Sequence, residues 1–138
     1  VNPTEKLLIK LMLEEKALIE QIRSSLEPGD FRDERASRIV SIMFDLMAQG
    51  KDIEPNSLIN HCDDETLTQV ICESMLLPEM SSEGRQRVIN DCIQRLKKER
   101  LKLKKQHLHE EIKSAQHLGD ELKLNRLIQE FHELIKIK

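Results

Sequence analysis

From Glu83 to Leu118 the chain carries no proline, and the one glycine of that stretch, Gly84, stands at its beginning. At ~1.5 Å per residue a helix over it would reach roughly 50 Å, and its apolar pattern changes along the way. Val88, Ile89, Cys92, Ile93 and Leu96 recur like a stripe facing a bundle. Between Leu96 and Leu108 only Leu101 and Leu103 stand among basic residues, after which Leu108, Ile112, Ala115 and Leu118 resume a helical stripe. The first third is expected to pack on a bundle, the basic middle to be solvated, and the last third to pack elsewhere.

The partner of that last third comes directly after it in sequence. Gly119-Asp120 joins a helix stop to a helix start, with Gly at C′ and Asp as N-cap. Beyond it Leu124, Leu127, Ile128, Phe131, Leu134 and Ile135 form an apolar helical stripe, which Leu122 and Ile137 broaden. Two apolar faces joined by so short a turn define an antiparallel αα-hairpin. Leu108, Ile112, Ala115 and Leu127 are its expected core support. The expected organisation is a helical bundle over residues 1–96, a basic connecting part of the long helix over 97–107, and the hairpin over 108–138.

Shorter helices are legible upstream. Asn2 can cap a helix opened by Pro3, with Glu5 placed for a capping box and Leu7, Leu8, Leu11 and Met12 on one face. Glu14-Glu15-Lys16 interrupts the pattern before Leu18, Ile19, Ile22 and Leu26, and Glu27-Pro28-Gly29-Asp30 has the chemistry of a turn. A helix from about Phe31 carries Ala36, Ile39, Val40, Met43, Phe44 and Met47 and stops at Gly50. Pro55 opens a short helix containing Leu58 and Ile59. Asp63 or Asp64 caps a fifth with Leu67, Val70, Ile71, Cys72, Met75 and Leu76 as its apolar stripe. The fold class is all-α: a multi-helix bundle, then a long helix and a C-terminal hairpin.

Composition excludes much else. Three phenylalanines, no Trp or Tyr, and only four Gly and four Pro leave too little material for the turns of an all-β domain. No apolar run is long enough to span a membrane. The start at Val1-Asn2-Pro3 lacks an initiator Met and a signal-peptide pattern, as expected of a piece of a longer chain. Cys62, Cys72 and Cys92 are widely spaced with no CxxC, which fits a reducing, cytoplasmic setting rather than a disulfide framework or zinc site. The net charge of −3 divides unevenly, at −8 over residues 1–94 and +5 over 95–138.

Signatures of catalysis are missing: no glycine-rich phosphate loop, no HExxH, no GxSxG. No catalytic residue, metal ligand or cofactor is assigned. His107 and His109, two apart, fall on different helix faces and make poor joint ligands. The basic run from Arg95 to Lys105 opposes seven Lys or Arg to the single acid Glu99. Arg95, Lys98, Lys102 and Lys105 are its candidate phosphate contacts, without an aromatic residue for base stacking. Direct nucleic-acid binding is not the leading expectation from this run.

The pattern also resembles a known family, the C-terminal helicase-interaction domain of bacterial replicative DNA primase. Pro3-Thr4-Glu5-Lys6-Leu7-Leu8-Ile9-Lys10-Leu11-Met12 resembles its opening helix, and Phe31, Arg38-Ile39, Leu46 and Gly50 its central one. Glu110 to Gln116, Gly119-Asp120 and Leu127 to Leu134 resemble the hairpin that closes the primase chain. That resemblance implies a non-catalytic adaptor, cut from a nucleotidyltransferase parent, which binds the N-terminal domains of the hexameric replicative helicase and brings primase to the fork. Leu124, Ile128, Phe131, Leu134, Ile135, Lys136 and Lys138 are then the expected helicase-binding residues. The N-terminal domain of the helicase itself has a similar fold and is the alternative; against it counts the expectation that such a domain leads on to an ATPase, whereas this chain stops at the hairpin. A homodimer that swaps or pairs hairpins is a further expectation.

Overall fold

The computed structural model describes residues 2–136 and is helical throughout, with no strand among them. Seven α-helices come in order: α1 (Pro3–Glu14), α2 (Lys16–Ser25), α3 (Glu34–Ala48), α4 (Pro55–Asn60), α5 (Glu65–Met75), α6 (Ser82–Leu118) and α7 (Glu121–Lys136). A single 3-10 turn, Pro28–Asp30, stands between α2 and α3. The backbone forms two compact units, Val1–Lys97 and Lys98–Lys138, and α6 supplies residues to both. All-α architecture with a terminal hairpin is thus what the sequence folds into.

The first unit is built around α1. Its sequence predicts one apolar face, but Leu8, Ile9, Lys10, Leu11 and Met12 are all buried, more than a full turn of consecutive residues. A helix enclosed on every side is a central one, and α1 contacts α2, α3 and α5. Around it lie Ile19 and Ile22 of α2, Ala36, Ile39, Val40, Met43 and Leu46 of α3, Leu58 of α4, and Leu67, Val70 and Ile71 of α5. The early stripe of α6 joins the same core through Ile89, Cys92, Ile93 and Leu96.

Enclosure forces the polar residues of α1 to find partners inside. Asn2 caps the helix as its sequence predicts, its Oδ1 accepting from the Glu5 N–H at 2.9 Å. Glu5 does not return the bond as a capping box would. Its buried carboxylate instead reaches the segment before α3, where Oε1 accepts from the backbone N–H of Arg32 (2.5 Å) and Asp33 (3.4 Å). Burial pushes the Glu5 carboxyl up from its ordinary value, against the opposing pull of those two N–H groups. Lys10, also buried, pairs with Glu14 at 3.0 Å. Glu14 and Glu15 in turn meet the guanidinium of Arg85, which ties the start of α6 to the α1–α2 corner.

Helix ends obey local chemistry with some shifts. The third helix begins at Glu34 rather than near Phe31, because Asp33 caps it by accepting from the Arg35 N–H (2.9 Å). Phe31 is nevertheless buried. Between the two candidates for α5, Asp64 is the cap, accepting from the Thr66 N–H (2.9 Å). The apolar stripe expected on α5 is narrower than its sequence suggests. Cys72, Met75 and Leu76 are exposed, and Ser74 is buried with its hydroxyl donating to the Val70 carbonyl (2.7 Å). Each residue turns ~100° around the axis, so Cys72 and Met75 rotate away from the face set by Leu67, Val70, Ile71 and Ser74.

Replacing Glu5 by Ala strands two backbone donors, and urea unfolding is expected to register a loss of about 1–3 kcal/mol. The pH dependence has a definite sign. A raised folded-state pKa makes stability that is fully present below the ordinary value of 4.5 and lost as pH rises through the folded value. Glu5→Gln does not titrate there, so its Tm should gain on that of wild type as pH climbs from 4.5 toward neutrality.

Candidate interaction site

The second unit is a hairpin made from the later part of α6 and from α7. Its turn is closed by two backbone bonds, from the Gly119 N–H to the Gln116 carbonyl (3.2 Å) and from the Asp120 N–H to the Ala115 carbonyl (3.1 Å). That is a Schellman motif, and it requires the left-handed conformation Gly119 adopts at φ +72°. Asp120 then caps α7, its Oδ1 accepting from the Lys123 N–H at 3.1 Å. The same pairing closes α3, where Gly50 sits at φ +70°.

Among the described residues of the hairpin, only Ala115 and Leu127 are fully buried. Leu108 and Ile112, expected beside them, are half-buried, as are Leu124, Phe131 and Leu134. The ring of Phe131 lies 6.5 Å from that of His109, tilted by 42°. Of the residues expected to bind a partner, Leu124, Phe131 and Leu134 are therefore partly occupied within the hairpin, whereas Ile128, Ile135 and Lys136 are exposed. Lys138 and Ile137 lie outside the described residues. Leu118 and Leu122, at either side of the turn, are 76% and 87% exposed.

Toward the open end of the hairpin lies a groove of about 600 Å³ that sequence reasoning did not single out. Leu103, Leu108 and Leu134 line it, with Arg100, Lys104 and His107 from α6 and Glu130 and Glu133 from α7. His107 also pairs with Glu111 at 2.9 Å. Spacing alone places each of these charges on a helix face, but which face meets which depends on the register of the hairpin, and that is set in three dimensions. The candidate phosphate contacts Lys98, Lys102 and Lys105 share a different face of α6, and Arg95 lies exposed in the first unit.

Among the described residues no three His, Cys, Asp or Glu side chains are grouped as a metal site. Perturbed carboxyls are explained by structure. The Arg35 side chain holds Asp33 well below the usual carboxylate range, the Thr66 backbone N–H lowers Asp64, and Lys6 lowers Glu73 across a 2.9 Å pair. Burial pushes the thiols of Cys62 and Cys92 up. No described helix is long and apolar enough to cross a membrane.

Fold and site together are those of an all-helical domain with exposed apolar residues and a charged groove on its hairpin. The family model for the DnaB-like helicase N terminal domain matches residues 2–85, and the chain belongs to that family. No curated protein matches it. This overturns the primase assignment, and with it the nucleotidyltransferase parent, the transferase and primosome reading, and the role of docking onto the helicase from outside. The matched segment is most of the bundle, whose pattern is generic on its face, whereas the hairpin that carries the more specific part of the primase resemblance lies outside the match. The objection that the chain stops at the hairpin carries no weight, since the last residue of a chain sets no limit on the extent of its parent protein.

Two substitutions test the hairpin. Leu127→Ala should cost about 2–5 kcal/mol where it acts, enough for hydrogen exchange to show loss of protection over α7 with the α1–α5 amides unchanged. Gly119→Ala meets no neighbouring atom within 4 Å. Its cost is expected to be that of the left-handed backbone alone, about 1–2 kcal/mol, read in the same amides.

Proposed function

We propose that this chain is a non-catalytic interaction domain of a DnaB-like helicase, in which the bundle is the shared scaffold and the hairpin is the element that pairs with a second copy. Membership of the family supports the first half of this reading. One observation carries the second: among its described residues the hairpin fully buries two side chains while leaving Ile128 and Ile135 exposed seven residues apart on α7. Two turns separate such positions on one helix edge, so they form a ridge that a second helix can cover.

Charge supports a second copy as the occupant. The groove brings basic residues from α6 and acidic residues from α7 to one place, Arg100 and Lys104 with Glu130 and Glu133. In a two-fold interface residue i meets j and j meets i, so a mate docked with its basic wall on the acidic one repeats that contact. Basic then meets acidic twice. The parent's ATP-driven activity would reside in a region beyond this domain, and the chain alone should hydrolyse no nucleotide.

Analytical ultracentrifugation across a concentration series tests the pairing. Wild-type chain is expected to shift from 16.1 kDa toward twice that mass. Ile128→Glu with Ile135→Glu should hold it at the monomer mass while the helical circular dichroism stays unchanged. A wild type that remains monomeric at the highest soluble concentration would refute self-pairing.

A further inference from the structure

The outer basic face of α6 has no role in the hairpin reading. Lys98, Lys102 and Lys105 succeed one another at spacings of four and three, which places them on one side of the helix. Lys98 and Lys102 are exposed and Lys105 half-exposed, and among the described residues none of the three has an ion-pair partner. The one acid nearby, Glu99, sits three residues before Lys102 yet forms no ion pair with it. Like charges three and four apart on a helix oppose its formation. A helix that nonetheless keeps three of them in line carries a local excess of positive charge, and the rest of the chain sharpens it: residues 1–94 sum to −8.

We infer that this face binds the sugar–phosphate backbone of duplex nucleic acid, without reading its sequence. Lys98 to Lys105 covers about 10 Å of helix axis at ~1.5 Å per residue, a span over which a duplex presents several phosphates at one charge per about 1.7 Å. Lysine meets phosphate as a point charge and needs no fixed geometry. No aromatic residue lies between Lys98 and Lys105 to stack on bases, and stacking is what gives single-strand grooves their hold. Between Lys98 and Lys105 there is no Asn or Gln to read base edges, and the intervening Arg100 lines the groove instead. This surface is distinct from the Ile128–Ile135 ridge, so it stands whether or not the hairpins pair.

Fluorescence anisotropy with a labelled 20-base-pair DNA duplex, titrated with the full chain between 50 and 200 mM salt, tests the inference. Three phosphate contacts predict a slope of log K against log salt near −2.7, from about −0.9 per contact. Lys98→Glu/Lys102→Glu/Lys105→Glu should lose at least tenfold in affinity at 50 mM salt and most of that slope. The matching Lys→Arg triple should keep both. A control that reverses as much charge elsewhere, Lys16→Glu/Lys51→Glu/Arg87→Glu, should bind within about twofold of wild type. Helical circular dichroism of each variant separates lost binding from lost folding, and a Lys98→Gln/Lys102→Gln/Lys105→Gln triple replaces the Glu variant if that one unfolds. The inference fails if wild type does not bind duplex at 50 mM salt, or if the α6 variant binds with an unchanged slope. It fails equally if single-stranded DNA of the same length, or polyglutamate, binds more tightly than the duplex.

Discussion

The enclosure of α1 is the constraint on which the first unit depends. A helix with Leu8, Ile9, Leu11 and Met12 buried around more than one turn cannot rest on a single neighbour. It needs α2, α3 and α5 on different sides, and it leaves its own polar groups nowhere to go but inward. Glu5 answers by accepting from the backbone before α3, and Lys10 by pairing with Glu14. Each of these bonds fixes a neighbour as well as satisfying a charge. Through Glu14 and Glu15 the same chain of contacts reaches Arg85 and so the first turns of α6.

The hairpin obeys the opposite rule. It has two helices and hence only one seam, with Ala115 and Leu127 its fully buried side chains. Its definition comes instead from its turn, where Gly119 and Asp120 satisfy the end of α6 and the start of α7 within two residues. Such an element is well specified in connection and thinly specified in core. That combination leaves apolar surface open, which is the physical basis for reading it as a docking element.

Most helix boundaries are legible in the sequence because they rest on local chemistry: Asn2, Asp64 and Asp120 as caps, Gly50 and Gly119 as stops, Pro55 at a start. Residues whose fate depends on packing from several sides are less legible. Ile9 and Lys10 lie outside the stripe of Leu7, Leu8, Leu11 and Met12 yet are buried, whereas Cys72, Met75 and Leu76 read as core and are exposed. The groove combining Arg100 and Lys104 with Glu130 and Glu133 depends on hairpin register, which no spacing rule supplies. Family membership is hard to read for a related reason. The hairpin draws attention through its surface pattern, while the match over 2–85 rests on the bundle, whose residues look ordinary one by one.

The three thiols are unequal in a way that lends itself to spectroscopy. Cys92 is buried in the bundle core and Cys62 is half-buried with its Sγ 3.3 Å from the Leu58 carbonyl, and burial keeps both from ionising at their usual pH. Cys72 alone is exposed. Because alkylating dyes react with the accessible thiolate, brief labelling near neutral pH attaches a single fluorophore to α5 without any engineered cysteine. A dye there sits in the first unit, on a helix packed against α1 and α3. It gives a built-in reporter of the bundle's state that leaves every hairpin side chain untouched.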